Sequence, residues 1–281
     1  MIKIGCDILR NMILFELKNC INRKEFKVVF MALFLISISA FLMTCYIFYG
    51  HPLSFVRSAY ESGIIRGNYS SLLLNVEIIL LPVFATIIYS DSFYTNARLG
   101  TYKNILTRTD KKIYILSQCI VIFLVTFFTF FIPLLINQLL TFIVFPLVGF
   151  DNNSALPPFD LGYQKEYLFD FVRIQWPLLY DFIYMALDSL FASLFALFGY
   201  SLFFVFNKSR VFVIAGMFIV LQILNFVLSV AGYYEYSIEQ YLYSLSKGSY
   251  IVLVLWIVLL LSVSLSIIIL KGFKYEIDIV K

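Results

Sequence analysis

Histidine is almost missing from this chain: of 281 residues only His51 is one, beside Pro52 in a short link between apolar blocks. A metal centre built on imidazole and histidine-based acid–base chemistry are thereby set aside. The four cysteines, Cys6, Cys20, Cys45 and Cys119, form no CxxC pair and no metal-ligand spacing, so they read as free thiols. No G-x-x-x-x-G-K-[ST] loop is present to cradle phosphates, so any ATP chemistry has to come from another chain. Charge is scarce as well, at 14% of residues against 62% hydrophobic and 19% aromatic. A soluble core of this size cannot hide so much apolar surface. The sequence shows neither an internal repeat nor a low-complexity tract.

What the chain does have is long apolar runs. A helix facing lipid is apolar all round and needs about 20 residues to cross about 30 Å of hydrocarbon. Six segments meet that requirement: 28–48, 72–89, 113–145, 178–206, 211–231 and 250–270. The second carries Glu77 and Pro82, and Pro82 is expected to kink it. The third is long enough to tilt or to break near Pro133, and the fourth holds Asp181 and Asp188 in its first half. The expected fold is therefore all-α: one polytopic membrane domain over 1–281, with six transmembrane helices between 28 and 270. Residues 1–27 mix polar and apolar side chains and are followed by no small-residue cleavage site, so the first span is expected to stay in the mature protein.

Lysine and arginine orient the spans, because basic residues near span ends are retained in the cytoplasm. With the N-terminus inside, the cytoplasmic set is Lys3, Arg10, Lys18, Arg23, Lys24, Lys27, Arg98, Lys103, Arg108, Lys111, Lys112, Lys208, Arg210, Lys271, Lys274 and Lys281. The outer set is Arg57, Arg66, Lys165, Arg173 and Lys247. The asymmetry predicts both termini, including a tail over 271–281, on the cytoplasmic side. It also makes the net charge of +4 a feature of topology, with no nucleic-acid partner implied.

Two stretches on the cytoplasmic side are amphipathic. Before the first span, Leu9, Met12, Ile13, Leu17, Cys20 and Ile21 share one helical face, and Asp7, Asn11, Lys18 and Asn22 share the other. Such a helix is expected to lie along the membrane surface. Glu16 falls within the apolar face, where it either pairs with a basic residue or a partner protein or reaches water as the helix rolls. Between spans two and three, residues 90–118 place Leu99, Tyr102 and Leu106 at helical spacing beside Lys103. This predicts a short amphipathic helix ended by a turn at 107–110, serving either as a handle for another protein or as a plain interfacial loop.

In their order along six spans, these features resemble the membrane subunit of an ABC transporter of the ABC-2 export class. The likeness lies in Phe15-Glu16-Leu17-Lys18 leading to the basic pair Arg23 and Lys24, then Asp91, Gly100-Thr101, Ile105-Leu106 and the basic pair Lys111 and Lys112. The resemblance implies a connecting helix at the N-terminus and a cytoplasmic coupling region, with Glu16, Asp91, Leu99, Gly100, Thr101, Tyr102 and Leu106 as ATPase-coupling residues. It further implies two copies of a cytoplasmic ATPase that bind the ATP and magnesium, and a second permease chain, identical or a sister. No cofactor is expected in this chain and no catalysis by it, and a large external domain found in bigger members of the class is missing.

Intramembrane acids are candidates for function because a charge in hydrocarbon is costly unless paired, protonated or wetted. Glu77 and Asp188 are accordingly candidates for the translocation pathway, or else for structural pairing across helices, whereas Asp181 lies near enough to the interface to need no special role. The outer segment 146–177, with Asp151, Asp160, Glu166, Asp170 and the Pro157-Pro158 pair, either meets a cationic amphipathic peptide or is an interfacial hairpin of aromatic residues. Residues 233–248 have the same character. An ion-coupled carrier using Glu77 and Asp188 is the alternative function. Abundant Phe, Ile and Tyr, and lysine in preference to arginine, suit the cell membrane of a low-GC bacterium, with an antimicrobial or amphipathic peptide or a drug as substrate.

Overall fold

The computed structural model describes residues 2–52, 56–107, 109–147, 163–206 and 209–273, with side chains from Asp7 onward. Expectations that rest on the side chains of Lys3 and Cys6, or on Arg108, Asp151, Pro157, Pro158, Asp160, Lys208, Lys274 and Lys281, lie outside the described residues.

Among the described residues the chain is helical. Helix α1 (Ile2–Asn22) meets α2 (Lys24–Phe48) at Arg23, whose extended backbone breaks the two apart. A single turn, α3 (Ala59–Ser62), precedes α4 (Ser71–Tyr89). Two short helices follow, α5 (Ser92–Arg98) and α6 (Thr101–Leu106), and then the long α7 (Lys111–Val144). The second half comprises α8 (Asp170–Gln175), α9 (Pro177–Leu202), α10 (Arg210–Val230) and α11 (Tyr250–Ile267), the last continuing as a wider turn over Ile268–Gly272. Six of these, α2, α4, α7, α9, α10 and α11, are long and apolar enough to cross a membrane, and the chain is a multi-pass membrane protein.

Proline ends neither helix it was expected to disturb: α4 continues through Pro82 and α7 through Pro133. Packing against neighbours holds such helices together despite the missing donor. At 34 residues α7 is about 51 Å long, more than a bilayer core requires. The fourth span stops four residues short of its expected end, because Phe203 and Phe204 leave the helix and Phe204 seats on Phe93, ring centroids 4.5 Å apart.

The bundle is arranged around α9, of whose apolar window 67% is buried, against 17% for α10 and 22% for α11. Ser189, Ala192, Ser193, Ala196 and Gly199 make α9 slender, which lets neighbouring backbones approach. Ser193 Oγ donates to the Phe123 carbonyl of α7 at 3.0 Å, and Ser90 Oγ donates to the Ala196 carbonyl at 2.8 Å. Asn137 of α7 joins α2 and the α3 turn, donating to the Ser37 carbonyl (2.7 Å) and accepting from the Ile64 amide (2.8 Å). At the same end Ser244 Oγ donates to the Ile65 carbonyl, the Leu245 amide donates to Tyr180 and the Phe169 amide to Tyr250. The described parts of residues 146–177 and 233–248 thus form an interlocked cap, joined also by the Tyr167–Lys247 bridge.

Gly199 tests the close α4–α9 approach. A Cβ there would stand 2.5 Å from Thr86 Cγ2, and the Thr86 rotamer is held by its hydroxyl donating to the Pro82 carbonyl at 2.8 Å. Gly199→Ala is expected to cost about 1–3 kcal/mol through overpacking, read as a lowered thermal unfolding midpoint in detergent. Adding Thr86→Ser, which removes the colliding methyl and keeps the hydroxyl, should restore most of the loss.

Candidate functional site

Two polar clusters stand out in an otherwise apolar bundle. The first lies at the end carrying most of the basic residues, where α1, α2, α4, α5, α7, α9 and α10 come together. Asp91, at the α4–α5 junction, is 2% exposed and takes Arg23 Nη1 on one oxygen at 2.6 Å and Arg210 Nε on the other at 3.4 Å. Arg210 also bonds Glu25 at 2.8 Å and the Ile87 carbonyl at 3.1 Å. Arg23 lies 4.5 Å over the Tyr89 ring, and the Tyr89 hydroxyl donates to Glu16 Oε2 at 2.5 Å. One carboxylate therefore gathers the α1–α2 junction, the end of α4 and the start of α10.

Glu16 continues the network inward. It is fully buried on the Met12–Glu16–Cys20 stripe by which α1 packs on the bundle, and among the described residues it has no salt-bridge partner. Its acceptor oxygen also receives Gln118 Nε2 at 3.5 Å. Gln118 in turn donates to Tyr114 (2.8 Å) and accepts from Tyr200 (2.9 Å), while Asn96 of α5 donates to the same Tyr114 hydroxyl at 2.8 Å. Burial pushes the Glu16 carboxyl above the ordinary carboxylate range, opposed by Tyr89, Gln118 and the Arg23 charge. Its other oxygen has no hydrogen-bond partner among the described residues. Burial also pushes the Cys20 thiol up to about 12, which leaves it unreactive.

The expected coupling region is an elbow of two helices. Gly100, at φ 72°, takes the left-handed turn between α5 and α6 that a side chain would resist. Leu99 and Tyr102 consequently do not share a face. Leu99 is 70% exposed at the tip with Arg98, Thr101 and Lys103, whereas Tyr102 is buried against Phe93 and Tyr114 at 5.2 and 5.8 Å. Leu106 is half-buried and packs on the core. Helix α6 ends at Leu106, and Lys111 begins α7.

The second cluster lies about 18 Å along α4 from Tyr89. Glu77 of α4 and Asp188 of α9 are both buried in the bundle, near enough for their charges to interact. Each is 3% exposed and keeps one oxygen without a hydrogen-bond partner. Two turns farther along α9, Asp181 is fully buried 3.9 Å from Arg66, which also bonds Glu61 at 3.1 Å. The assignment of Asp181 to an undemanding interface is therefore corrected: it is an interior acid beside a buried arginine. Tyr89, Gln118, Tyr114, Tyr200, Asn96 and Arg210 complete the first cluster and were not singled out from sequence. The only local sign was the polar Ser117-Gln118 pair near the start of an apolar run.

The weakened acidity of Glu16 fixes a sign. The folded state holds this proton more tightly than the unfolded chain, so stability is full below the ordinary value of 4.5 and declines as pH rises through the folded value. Glu16→Gln, which can still accept from Tyr89, is expected to abolish that decline in unfolding midpoints measured across about pH 4 to 8. Glu16→Ala should instead lose about 1–3 kcal/mol at every pH, because the buried Tyr89 hydroxyl is left unpaired. A native chain that gains stability relative to Glu16→Gln as pH rises would show an ionised Glu16.

Compared with protein-family models, with curated proteins and with solved structures, the chain matches none.

Proposed function

We propose that the protein is the membrane permease subunit of an ATP-driven exporter of the ABC-2 type, energised by two copies of a separate cytoplasmic ATPase. Its substrate is an antimicrobial or amphipathic peptide or a drug, and a second permease chain, identical or a sister, completes the pathway in the bacterial cell membrane. ATP and magnesium belong to the ATPase. The observation that carries the reading is the α5–α6 elbow. It presents Leu99 to solvent at its tip, while its base is joined through Asp91 and Arg23 to α1 and through Asn96 to the Tyr114–Gln118–Glu16 network. A force applied at the tip has stiff, hydrogen-bonded routes to α1, α7, α9 and α10, which is what coupling to a motor subunit needs.

An ion-coupled carrier is the second reading. It is favoured by Glu77 and Asp188, which lie near each other in the bundle with an unpartnered oxygen apiece.

Co-purification from native membranes in mild detergent separates the two. An ATPase is expected with the native chain. Leu99→Asp, at an exposed position that leaves the fold intact, should weaken its recovery by at least about tenfold, since burying a leucine in a partner is worth about 2 kcal/mol. No ATPase with the native chain overturns the permease reading, and loss of transport in Glu77→Gln and Asp188→Asn then tests the carrier.

A further inference from the structure

Buried polar groups without good partners fall on one line through the capped half of the bundle. Asp181, Tyr184 and Asp188 are spaced three and then four residues apart on α9, which sets them along one side of that helix over about 10 Å. Asp181 is fully buried, and neither of its oxygens has a hydrogen-bond partner among the described residues. Arg66 Nη1 stands 3.9 Å from it, too far for a direct hydrogen bond. The Nε and Nη1 of that arginine, whose side chain is 6% exposed, lack partners as well. The Tyr184 hydroxyl lies beside those of Tyr180 and Ser246 without a well-formed hydrogen bond to either, and within charge reach of Asp188. Asp188 and Glu77 complete the line, each with one unpartnered oxygen, and Tyr243 of the cap is within charge reach of Asp188.

Buried donors and acceptors are satisfied by protein or by water, and water is the molecule small enough to serve all of these. One water that accepts from Arg66 and donates to Asp181 fits their 3.9 Å separation, since each bond spans about 2.8 Å. The axial steps along α9, about 4.5 Å from Asp181 to Tyr184 and about 6 Å from Tyr184 to Asp188, each match two hydrogen bonds through one water. The line has a mouth at one end and a floor at the other. At the mouth Arg66 also bonds Glu61, whose side chain is 16% exposed. Past Asp188 the same side of α9 continues with Phe191 and Phe195, and past Glu77 that of α4 continues with Leu81 and Ile88, all buried. The nearby hydroxyls of Ser189 and Thr86 donate to carbonyls of their own helices.

We propose that Arg66, Asp181, Tyr184, Asp188 and Glu77 line a water-filled half-channel that enters the bundle from the capped end and stops at the two deepest acids. Protons carried along its waters and hydroxyls reach Glu77 and Asp188 from that end, and the apolar floor bars them from the basic end. The half-channel requires neither of the two functional readings, because it follows from how α9 packs.

The test is hydroxyl-radical footprinting of the full chain in detergent, with radicals generated from water by X-rays and the oxidised side chains located by mass spectrometry. Radicals born in internal water mark the side chains beside it. Tyr184 should therefore be oxidised several-fold more than Tyr114 and Tyr200, which are equally buried but belong to the matched network at the basic end. Phe191 and Phe195, on the floor, should stay protected. In the double variant Arg66→Met, Asp181→Leu, apolar side chains close the mouth, a replacement that buried ion pairs often tolerate. Its unfolding midpoint should hold while oxidation of Tyr184 falls to the level of Tyr114; should the variant not fold, the contrast within the native chain decides. Tyr184 as protected as Tyr114 in the native chain overturns the proposal, as does oxidation of Tyr184 that survives in the folded double variant. Oxidation of Phe195 equal to that of Tyr184 also overturns it, because water then passes the floor.

Discussion

The ion pair between Arg23 and Asp91 is the contact on which the architecture of the basic end depends. A carboxylate that is almost fully buried has to be surrounded by donors, and Asp91 finds them in Arg23 and Arg210, 68 residues before it and 119 after it. To reach it, the chain must break between α1 and α2 and bring the start of α10 beneath α4. Arg23 also covers the Tyr89 ring, which fixes the hydroxyl that Glu16 accepts. A buried pair of this kind adds little net stability over an apolar substitute, yet it rejects alternative placements of α1, because any of them strands a charge. Its contribution is specificity of arrangement.

The same logic divides the bundle into two working depths. At the basic end the polar groups are matched and chained together, from Asn96 through Tyr114 and Gln118 to Glu16 and Tyr89. Deeper along α4 and α9, Glu77 and Asp188 are left with unpartnered oxygens. Between the two depths α9 offers Ala192, Ala196 and Gly199, which let neighbouring helices approach closely, and its Ser193 hydroxyl reaches the Phe123 carbonyl of α7. Matched networks transmit displacement as stiff units, whereas unmatched acids are available to whatever enters.

Local chemistry alone determined six spans and marked the stretch before the first of them as amphipathic in sequence, because lipid demands an unbroken apolar length and a one-sided apolar face demands a 3.6-residue period. Both demands are met within some twenty neighbouring residues and can be read there. Glu16 was visible as a misfit in its apolar face, but its partners Tyr89 and Gln118 lie 73 and 102 residues away, on helices whose faces a linear pattern does not orient. Asp181 likewise looked peripheral by its position in the span and acquires its meaning only from Arg66, on a separate loop. Leu99 and Tyr102 had helical spacing, yet the left-handed turn at Gly100 sends one to solvent and the other to the core. Composition and periodicity thus settle which segments are long and apolar enough to span a membrane. Which buried polar groups meet is decided by the packing of α9 against its neighbours, since a hydrogen bond depends on ångström-scale distance that only the assembled bundle sets.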